Sequence, residues 1–487
     1  MTREREFGVA MAEDVDAELC DHLLRPDGQE DLAFALWTPS AGATRDTALL
    51  HTVVLPRAGE REVHGNVHFN PAYFERIVAV AAKRGCGVAF LHSHPGPGWQ
   101  DMSSDDVVAE KKIAGACAAM TGLPLVGMTV GSNGVWSART WDRQGPRLYD
   151  RAWARSVRVV GRRLRAHFAD HLAPAPAFRE MFRRTVTVWG ADRHADLARL
   201  RVGIVGLGSV GSIVAETLAR MGLSHLTLID FDEVQPHNLD RLLGVTRSDI
   251  GALKIDVMAR QVEAASTAAS IEVRRSAFSV AEEEGYLAAL DCDVLFSCVD
   301  RPRARSILNH LAYAHLIPVV DGGIEVRFRD GRFVGVDWQL QTVAPTRPCL
   351  QCLGAFDPGD VSAERDGHLD DPTYLAGLPS DHRFKRNENV FPFSANLASL
   401  EVLQFVALAT GIANQPYLGV QRYRYVPGVV TTETSPCCRK SCEAVTLTAQ
   451  GDQHFTLWDR DLAAEAARRR QQQPSRTLTN AQAIDGR

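Results

Sequence analysis

Two histidines and an aspartate stand close together in the sequence with the spacing of metal ligands. His92 and His94 follow the apolar run 87–91, and residues two apart on a strand point to the same face. A loop with proline and glycine leads from there to Ser103 and Asp106. Two neutral imidazoles and one carboxylate form a three-ligand zinc set whose open fourth position is typical of catalytic zinc. Because zinc lowers the pKa of its water from about 15.7 to about 7, the pattern predicts a hydroxide nucleophile at neutral pH.

The order HxH, loop, SxxD resembles the JAMM motif of the JAB/MPN metalloproteases. The resemblance implies that residues 1–150 form a JAB/MPN zinc metalloprotease domain with a cytidine-deaminase-like α/β fold. It implies a catalytic Zn²⁺ held by His92, His94 and Asp106. In that family the serine, here Ser103, helps to stabilise the tetrahedral oxyanion.

The length of the loop leaves an alternative for the carboxylate ligand. Ser103 and Asp106 match the family motif when the loop is one residue longer than usual. At the usual length Met102 would replace the serine and Asp105 would be the ligand. We expect Asp106 and keep Asp105 as the alternative.

The proton of an activated water must be moved by a carboxylate close to the metal. In the JAB/MPN family this general base is a glutamate far upstream of the histidines. Glu30, which precedes the strand predicted over 32–37, is the best match. Glu60 and Glu62 are the other candidates.

A glycine-rich loop marks a second candidate site. Gly206, Gly208 and Gly211 form GxGxxG between a buried strand and a helix predicted over 212–221. Glycines in such a loop let the backbone approach a phosphate at the N-terminus of the helix. Asp230 lies near the distance at which an acidic residue binds the ribose of a dinucleotide.

The polar residues after the loop favour a nucleoside triphosphate over a hydride-transfer cofactor. They are Asp232, Asn238, Arg241, Lys254 and Asp300. Arg241 and Lys254 can neutralise phosphate charge. Asp300 ends a predicted strand, at the edge where open α/β sheets bind ligands, and its carboxylate can hold Mg²⁺ against the phosphates.

Taken together, these motifs are similar to those of the ThiF/MoeB superfamily, which includes the ubiquitin-activating enzymes, over roughly residues 180 to 445. The resemblance implies a Rossmann-like, doubly wound, ATP-dependent adenylation domain over 196–450, so that the chain is α/β throughout. The residues it assigns are Asp230 to the ribose, Asn238, Arg241 and Lys254 to the phosphates, and Asp300 to Mg²⁺, with Asp232 and the three glycines beside them. In this family a protein C-terminal carboxylate attacks the α-phosphate of ATP and releases pyrophosphate.

The family also has an arginine ahead of this domain that reaches the nucleotide across a homodimer. Arg184 aligns with it, and Arg183 is the second choice. Because the preceding stretch is rich in arginine and interrupted by prolines, we predict a helical linker over 151–195 that includes the start of the adenylation domain.

Five of the ten cysteines fall in two groups: Cys349, Cys352, Cys437, Cys438 and Cys442. In a chain without a visible secretory signal this grouping favours metal binding over disulfides. Four thiolates from two loops form a tetrahedral structural Zn²⁺ site, with either Cys437 or Cys438 as the third ligand; we expect Cys438. Cys437 is then the only nearby thiol for a thioester, since residues 354–436 contain no cysteine.

The composition limits the partners of the chain. Fifty-four Lys and Arg against 59 Asp and Glu give a net charge of −5, so there is no global basic field of the kind that binds nucleic acid. The longest uncharged stretch, 113–138, is broken by glycine and proline and predicts no membrane span. We expect a cytoplasmic protein with a flexible, charged and polar tail over 451–487.

Both predicted chemistries act on the flexible C-terminus of a protein. We therefore predict that the chain adenylates the C-terminus of a ubiquitin-like β-grasp protein and trims or deconjugates the same protein. The family resemblance further implies a homodimer, a conjugating enzyme as a second partner, and bacterial conjugation cassettes, some linked to phage defence. One alternative is activation of a sulfur carrier for cofactor or cysteine biosynthesis, and another is a scaffold with an inactive site.

Overall fold

The structure is a computed structural model that describes residues 5–64, 66–145, 148–177, 179–329, 332–370, 376–377, 389–411, 418–434 and 438–453. These residues form two large sheets with helices packed on them and a separate two-stranded hairpin. The chain therefore has a mixed α/β architecture.

A nine-stranded sheet is built from the first part of the chain, up to residue 168. The strands of this part are β1 Glu6–Ala12, β2 Leu32–Ala41, β3 Arg45–Val54, β4 Arg61–His64, β5 Asn66–Phe69, β6 Gly87–Ser93, β7 Leu125–Val130, β8 Trp136–Gly145, β9 Leu148–Trp153, β10 Ser156–Val160 and β11 Leu164–Phe168. Its helices are α1 Glu13–Leu23, α2 Pro71–Arg84 and α3 Ser104–Thr121. The strand order in the sheet is β11-β10-β1-β3-β2-β6-β7-β8-β9, while β4 and β5 form the hairpin.

The two helices beside β6 have clear local start and stop signals. Asn70 caps α2 by accepting a hydrogen bond from the Ala72 N–H, and α2 ends at Gly85, whose φ of +66° suits glycine. Helix α3 is capped by Ser103 and ends at Gly122, with φ +74°. The loop between β6 and α3 therefore has fixed ends.

An eight-stranded sheet is built from the second part of the chain. Its strands are β12 Arg201–Val205, β13 His225–Ile229, β14 Glu272–Ser276, β15 Val294–Ser297, β16 Val319–Arg329, β17 Arg332–Val343, β18 Val420–Arg424 and β19 Val429–Glu433. The helices are α4 Arg183–Trp189, α5 Ala191–Arg199, α6 Ser209–Arg220, α7 Lys254–Ala265, α8 Glu283–Leu290, α9 Pro302–Ala314, α10 Pro358–Arg365, α11 Phe391–Thr410 and α12 Glu443–Thr446. The order is β14-β13-β12-β15-β16-β17-β18-β19, and the first five strands in that order are parallel. The carboxyl ends of β12, β13 and β15 consequently meet at one edge, where such sheets bind ligands.

The helical linker predicted over 151–195 is wrong in its first part. Residues 148–168 form β9, β10 and β11, which extend the first sheet past the predicted boundary at 150. Strand β10 is buried along its whole length and pairs with β1, because its valines pack into the core of this sheet. Helical structure begins only near Arg183, at α4.

Buried charges connect the two parts of the molecule. Arg45 Nη1, at the start of β3, lies 2.6 Å from Asp293 Oδ1, just before β15, and both side chains are almost fully buried. Thr44 Oγ1 donates to Asp291 Oδ2 at 2.7 Å, and the Ala41 N–H donates to Asp452 Oδ2 at 2.9 Å. Because Asp293 stands at the amino end of its strand, the carboxyl ends of the parallel strands run away from this contact.

Helix α11 is the one helix among the described residues whose length and composition would allow it to cross a membrane. It is a 20-residue helix, and 56% of its apolar stretch is buried inside the protein. It packs on α6, β16 and β17, and its single carboxylate, Glu401, is fully buried. These contacts are those of a core helix.

Candidate functional sites

The structure brings His92, His94 and Asp106 together at the carboxyl end of β6. His92 Nε2 lies 3.1 Å from His94 Nε2, and the two carboxylate oxygens of Asp106 lie 3.3 Å from the two Nε2 atoms, one on each. One ligand atom from each residue falls within 4.8 Å of the others, which is the donor set and spacing that a metal ion needs.

The cap of helix α3 determines which aspartate enters this group. Ser103 Oγ accepts the Asp106 N–H at 3.1 Å, and Asp106 Oδ2 accepts the Ser103 N–H at 2.8 Å, a reciprocal capping box. This arrangement turns the Asp106 carboxylate back toward the histidines. Asp105 is exposed and is not part of the group, while Met102 packs with a hydrophobic cluster.

Hydrogen bonds within the triad of His92, His94 and Asp106 shift the pKa values of its members. Burial would raise the pKa of Asp106, but hydrogen bonds from His92 and His94 outweigh it and hold that pKa well below its usual range. The hydrogen bond to Asp106 raises the pKa of His94, and the charge of Glu30 adds to the effect. The site therefore concentrates negative charge on Asp106, as a cation site does.

Of the candidate bases, Glu30 is the one whose charge acts on the triad. It precedes β2, where Leu32 pairs with His92, and it is partly buried. Glu60 is instead held by Arg76, whose Nε lies 2.8 Å from its Oε1. Glu62 lies on β4 and pairs with His68 in the hairpin register.

A buried charged network behind the triad was missed in the sequence. Arg139 on β8 and Glu110 on α3 form an ion pair with no exposed surface, and Thr129 on β7 connects Arg139 to His92. The one signal for it is an arginine inside the otherwise apolar and small run VWSARTW, where burial of a charge requires a partner.

The glycine loop has the predicted position between β12 and α6. Gly206 has φ +89°, and a Cβ there would approach the Cys298 carbonyl oxygen at 2.5 Å; a Cβ on Gly211 would collide with the Gly206 carbonyl. Gly208, by contrast, faces open space, with no atom within 4 Å of a Cβ placed on it. Gly208 is also the N-cap of α6 and provides no capping side chain, so the first N–H groups of this helix border that space.

Asp230, Asp232 and Lys254 lie beside this loop. Asp230 Oδ2 accepts the Leu207 N–H at 2.6 Å, which ties the end of β13 to the loop. Burial raises the pKa of Asp230, although the charge of Lys254 opposes this. Lys254 Nζ lies 2.7 Å from Asp232 Oδ2, so this lysine must leave Asp232 to reach a phosphate.

The other residues predicted to bind the nucleotide differ in burial and in hydrogen-bond partners. Asn238 is buried, and its Oδ1 accepts the Gln235 N–H at 2.9 Å, so it supports a turn. Arg241 Nη1 lies 3.4 Å from the neighbouring Asp240, and Asp300 is exposed just beyond β15. Arg184 is exposed on α4, whereas Arg183 pairs with Glu180.

Cys349, Cys352, Cys438 and Cys442 converge from two distant parts of the chain, with their sulfur atoms within 4.8 Å of one another. Backbone N–H groups point at three of the sulfurs: from Cys349 to Cys438 Sγ at 3.1 Å, from Cys352 to Cys349 Sγ at 3.3 Å and from Arg439 to Cys352 Sγ at 3.5 Å. The hydrogen bond from the Cys349 thiol lowers the pKa of Cys438 below its usual value. Four sulfurs with such support fit a tetrahedral metal site. Cys437 lies outside the described residues.

Comparison with known proteins gives a match to the second part of the chain. The model of the ThiF family matches residues 182–434. The tRNA threonylcarbamoyladenosine dehydratase of Escherichia coli is 28% identical over 147 residues, which are 30% of this chain and 54% of that protein.

Two further relatives have similar coverage. SAMP-activating enzyme E1 of Haloferax volcanii is 29% identical over 174 residues, 35% of this chain and 60% of its own length. Molybdopterin-synthase adenylyltransferase of Escherichia coli is 30% identical over 164 residues, 33% of this chain and 61% of its own length. The chain spans about half to three-fifths of the length of these curated relatives.

Proposed function

Because the chain belongs to the ThiF family, we propose that it activates the C-terminus of a ubiquitin-like protein with ATP and hydrolyses bonds to the same kind of tail at a second, zinc-dependent site. The observation that carries the first activity is the arrangement at the carboxyl edge of the second sheet. There α6 begins after Gly208, which faces open space, Asp230 accepts the Leu207 N–H of the same loop, and Lys254 pairs with Asp232.

In the adenylation step, a carboxylate oxygen of the protein tail forms a bond to the α-phosphorus of ATP. The bond from that phosphorus to the bridging oxygen breaks, and pyrophosphate leaves with the electron pair. The N-terminus of α6, Arg241 and Lys254 neutralise the phosphates, and Asp300 holds Mg²⁺. The exposed Arg184 is available to reach the nucleotide of a second subunit in a homodimer.

For the peptidase site, the support is the donor set of His92, His94 and Asp106. Zinc held there supplies Lewis-acid chemistry. Glu30 accepts the proton of the attacking water and passes it to the leaving amine. Ser103 keeps its hydroxyl proton free, since its oxygen accepts the Asp106 N–H, and donates it to the oxyanion.

A flexible protein C-terminus unites the two activities. The peptidase exposes the terminal carboxylate of a precursor or cuts a finished conjugate, and the adenylation site activates that carboxylate. The partners are then a β-grasp protein and a conjugating enzyme that accepts the activated tail. The described four-cysteine site binds a structural Zn²⁺, which connects two distant loops of the chain.

Activation of a sulfur carrier is the second candidate function. It is favoured by the lack of any cysteine over residues 354–436. Without a thioester on this chain, an external sulfur nucleophile can attack the acyl adenylate directly and displace AMP. Cys437 is the remaining thiol for the thioester route.

The test uses the full chain, ATP and a β-grasp protein encoded near it that carries a short extension after its terminal glycine. Intact mass spectrometry follows the reaction with and without a zinc chelator. We expect loss of the extension, then a gain of AMP. His94→Ala should leave the extended protein uncut and without AMP but should still adenylate the same protein supplied without its extension, whereas Asp300→Ala should stop only the gain of AMP.

Each outcome separates the alternatives. A mass gain on this chain identifies a thioester. Attack of added sulfide on the acyl adenylate, which releases AMP and leaves a thiocarboxylate on the β-grasp protein, supports the sulfur-carrier route. Neither cleavage nor AMP transfer with the folded chain would contradict the proposal and leave a scaffold. Loss of AMP transfer to the protein without its extension in His94→Ala, or loss of cleavage in Asp300→Ala, would contradict two independent sites.

A further inference from the structure

We propose that Ser93 and Asp31 form a positioning pair that holds the carboxylate of Glu30 opposite His94, where it can accept a proton from the attacking water. The inference rests on the zinc peptidase activity proposed above and deepens it. It adds a positioning residue to that site, because the HxH pattern leaves the residue between the two histidines open.

Two buried hydrogen bonds join Ser93 to Asp31. The Ser93 N–H donates to the Asp31 carbonyl at 3.0 Å, and the Asp31 N–H donates to Ser93 Oγ at 3.0 Å. Both residues are buried. In a regular antiparallel pair the second bond would go to the Ser93 carbonyl, but here the hydroxyl takes its place. The side chain of Ser93 therefore closes the pairing of β2 with β6 at the end that carries the histidines.

The register of β2 and β6 extends this pairing to Glu30. Leu32 lies opposite His92 in the antiparallel pair, and the two hydrogen bonds of Ser93 continue that register by one residue. One residue further along, Glu30 comes opposite His94. Because side chains alternate between the two faces of a strand, the Glu30 side chain then shares a face with both histidines.

The electrostatics of the triad agree with this position of Glu30. The hydrogen bond to Asp106 raises the pKa of His94, and the charge of Glu30 raises it further. Glu30 is partly buried, so water and salt screen its charge less than they screen that of an exposed carboxylate. The carboxylate therefore lies within range of the metal-binding group.

Asp31 is itself a fixed anchor. Its side chain is almost fully buried, its Oδ1 accepts the Leu32 N–H at 2.8 Å, and its Oδ2 lies 3.4 Å from Arg25 Nη1. Arg61 of the β4–β5 hairpin also contacts this carboxylate. Because a displaced carboxylate would leave buried charge unpaired, Asp31 has little freedom to move. Its link to Ser93 therefore fixes the preceding residue, Glu30, against the metal-binding end of β6.

Loss of the Ser93 hydroxyl would act on the base rather than on the metal ligands. The Asp31 N–H would be buried without an acceptor, which is unfavourable, so the chain beside it would move to satisfy this group. Glu30 is the adjacent residue and would move with it. A misplacement of about 1 Å at a catalytic group can cost about 100-fold in rate.

The test compares zinc content with cleavage of the extended β-grasp protein. We expect Ser93→Ala to keep the zinc content of wild type and to lower kcat for cleavage about 10-fold or more, with little change in KM. Ser93→Thr keeps a hydroxyl and should restore kcat. If Ser93→Ala does not fold, as judged by thermal unfolding, Ser93→Cys is measured with the same expectation, because a thiol is a weak acceptor.

A double variant tests whether Ser93 acts through Glu30. Glu30→Gln should lower kcat about 100-fold or more, because it removes the base. If the effect of Ser93 passes through this base, adding Ser93→Ala to Glu30→Gln should cause little further loss. Multiplication of the two losses would show that Ser93 acts on another part of the site and would overturn the positioning role.

Ser156→Ala is the matched control. Ser156 is a buried serine at the start of β10, and the strands β1, β3 and β2 separate β10 from β6 in the sheet. Its substitution should leave zinc content, kcat and KM unchanged. A loss of kcat in Ser156→Ala equal to that in Ser93→Ala would show a general effect of removing a buried hydroxyl and would overturn the specific role of Ser93.

The outcomes distinguish this inference from the function it rests on. Equal zinc content in wild type and His94→Ala, together with no cleavage by wild type, would contradict the proposed peptidase itself. Cleavage by wild type combined with full kcat in Ser93→Ala would overturn the positioning role alone. Loss of a zinc equivalent in Ser93→Ala would also overturn it, since Ser93 would then act on metal binding.

Discussion

At the level of single residues, the position of the triad depends on one hydrogen-bonding choice. Asp106 belongs to the first turn of α3, where its carboxylate accepts the Ser103 N–H and also contacts both imidazoles. Asp105, one residue earlier, points to solvent. Successive helical residues differ in direction by about 100°, so only one of two adjacent aspartates can face the histidines.

Replacement of these two aspartates tests that choice. We expect Asp106→Asn to reduce cleavage of an extended β-grasp protein by more than about 100-fold, because a charged ligand is lost, while ATP–pyrophosphate exchange stays unchanged. Asp105→Asn is the control and should retain cleavage. If Asp105→Asn instead abolished cleavage and Asp106→Asn did not, the ligand assignment would be reversed.

At the level of elements, the loop before α6 and the first turn of that helix contain glycines with different roles. Gly211 leaves no room for a Cβ because of the Gly206 carbonyl, whereas Gly208 borders open space and has an ordinary φ of −72°. The first is needed for folding. Gly208 keeps the space at the N-terminus of the helix open for a ligand.

Two alanine substitutions separate folding from nucleotide binding. Gly208→Ala should keep the melting temperature within a few degrees of wild type and weaken ATP binding at least about 10-fold, since the new methyl group lies in the phosphate space. Gly211→Ala should lower the melting temperature strongly because of the steric collision. Unimpaired ATP binding by folded Gly208→Ala, measured by equilibrium dialysis, would place the nucleotide elsewhere.

The four-cysteine cluster connects the loop before α10 to the segment before α12. We expect the folded chain to contain zinc there, and Cys352→Ser to lower both the zinc content and the melting temperature, because metal binding contributes to folding free energy. Cys20→Ser, a free cysteine of the first part, is the control. Equal zinc content in Cys352→Ser and wild type, measured by mass spectrometry of the metal, would contradict this site.

At the level of the whole molecule, the two parts meet through buried polar contacts. Asp452, near the C-terminal end of the described residues, accepts a hydrogen bond from the Ala41 N–H of the first part. Burial raises the pKa of Asp452 to about 6. The folded state therefore binds this proton more tightly than the unfolded state does.

The contribution of Asp452 to the stability of the folded state depends on pH. The stabilisation by the protonated form is complete below the unfolded pKa near 4 and is lost as the pH rises through about 6. We expect Asp452→Asn to raise the stability at pH 7.5 relative to wild type by about 1–3 kcal/mol, with the difference vanishing near pH 4. Thermal unfolding of both proteins from pH 4 to 8 measures it. A constant difference at every pH would refute the assignment.

Local spacing predicted much of the architecture at both sites. The strand that contains His92, the capped helix that begins after Ser103 and the glycine loop before α6 depend on neighbours a few residues away. Such signals are visible in the sequence because capping, strand alternation and glycine turns are intrinsic to short segments. The pairing of His92 with His94 and of Cys349 with Cys352 is local in the same sense.

Long-range packing decided the rest. The strands at 148–168 replaced a predicted linker because pairing with β1 outweighed the arginine-rich composition, and Arg139 met Glu110 only because β8 lies beside α3. The convergence of Cys438 and Cys442 on Cys349 likewise depends on the fold. The sequence alone determined the residue types and the local geometries, since local geometry depends on residues a few positions away in the chain. The tertiary structure alone determined which of them meet, because burial and sheet register are properties of the packed chain.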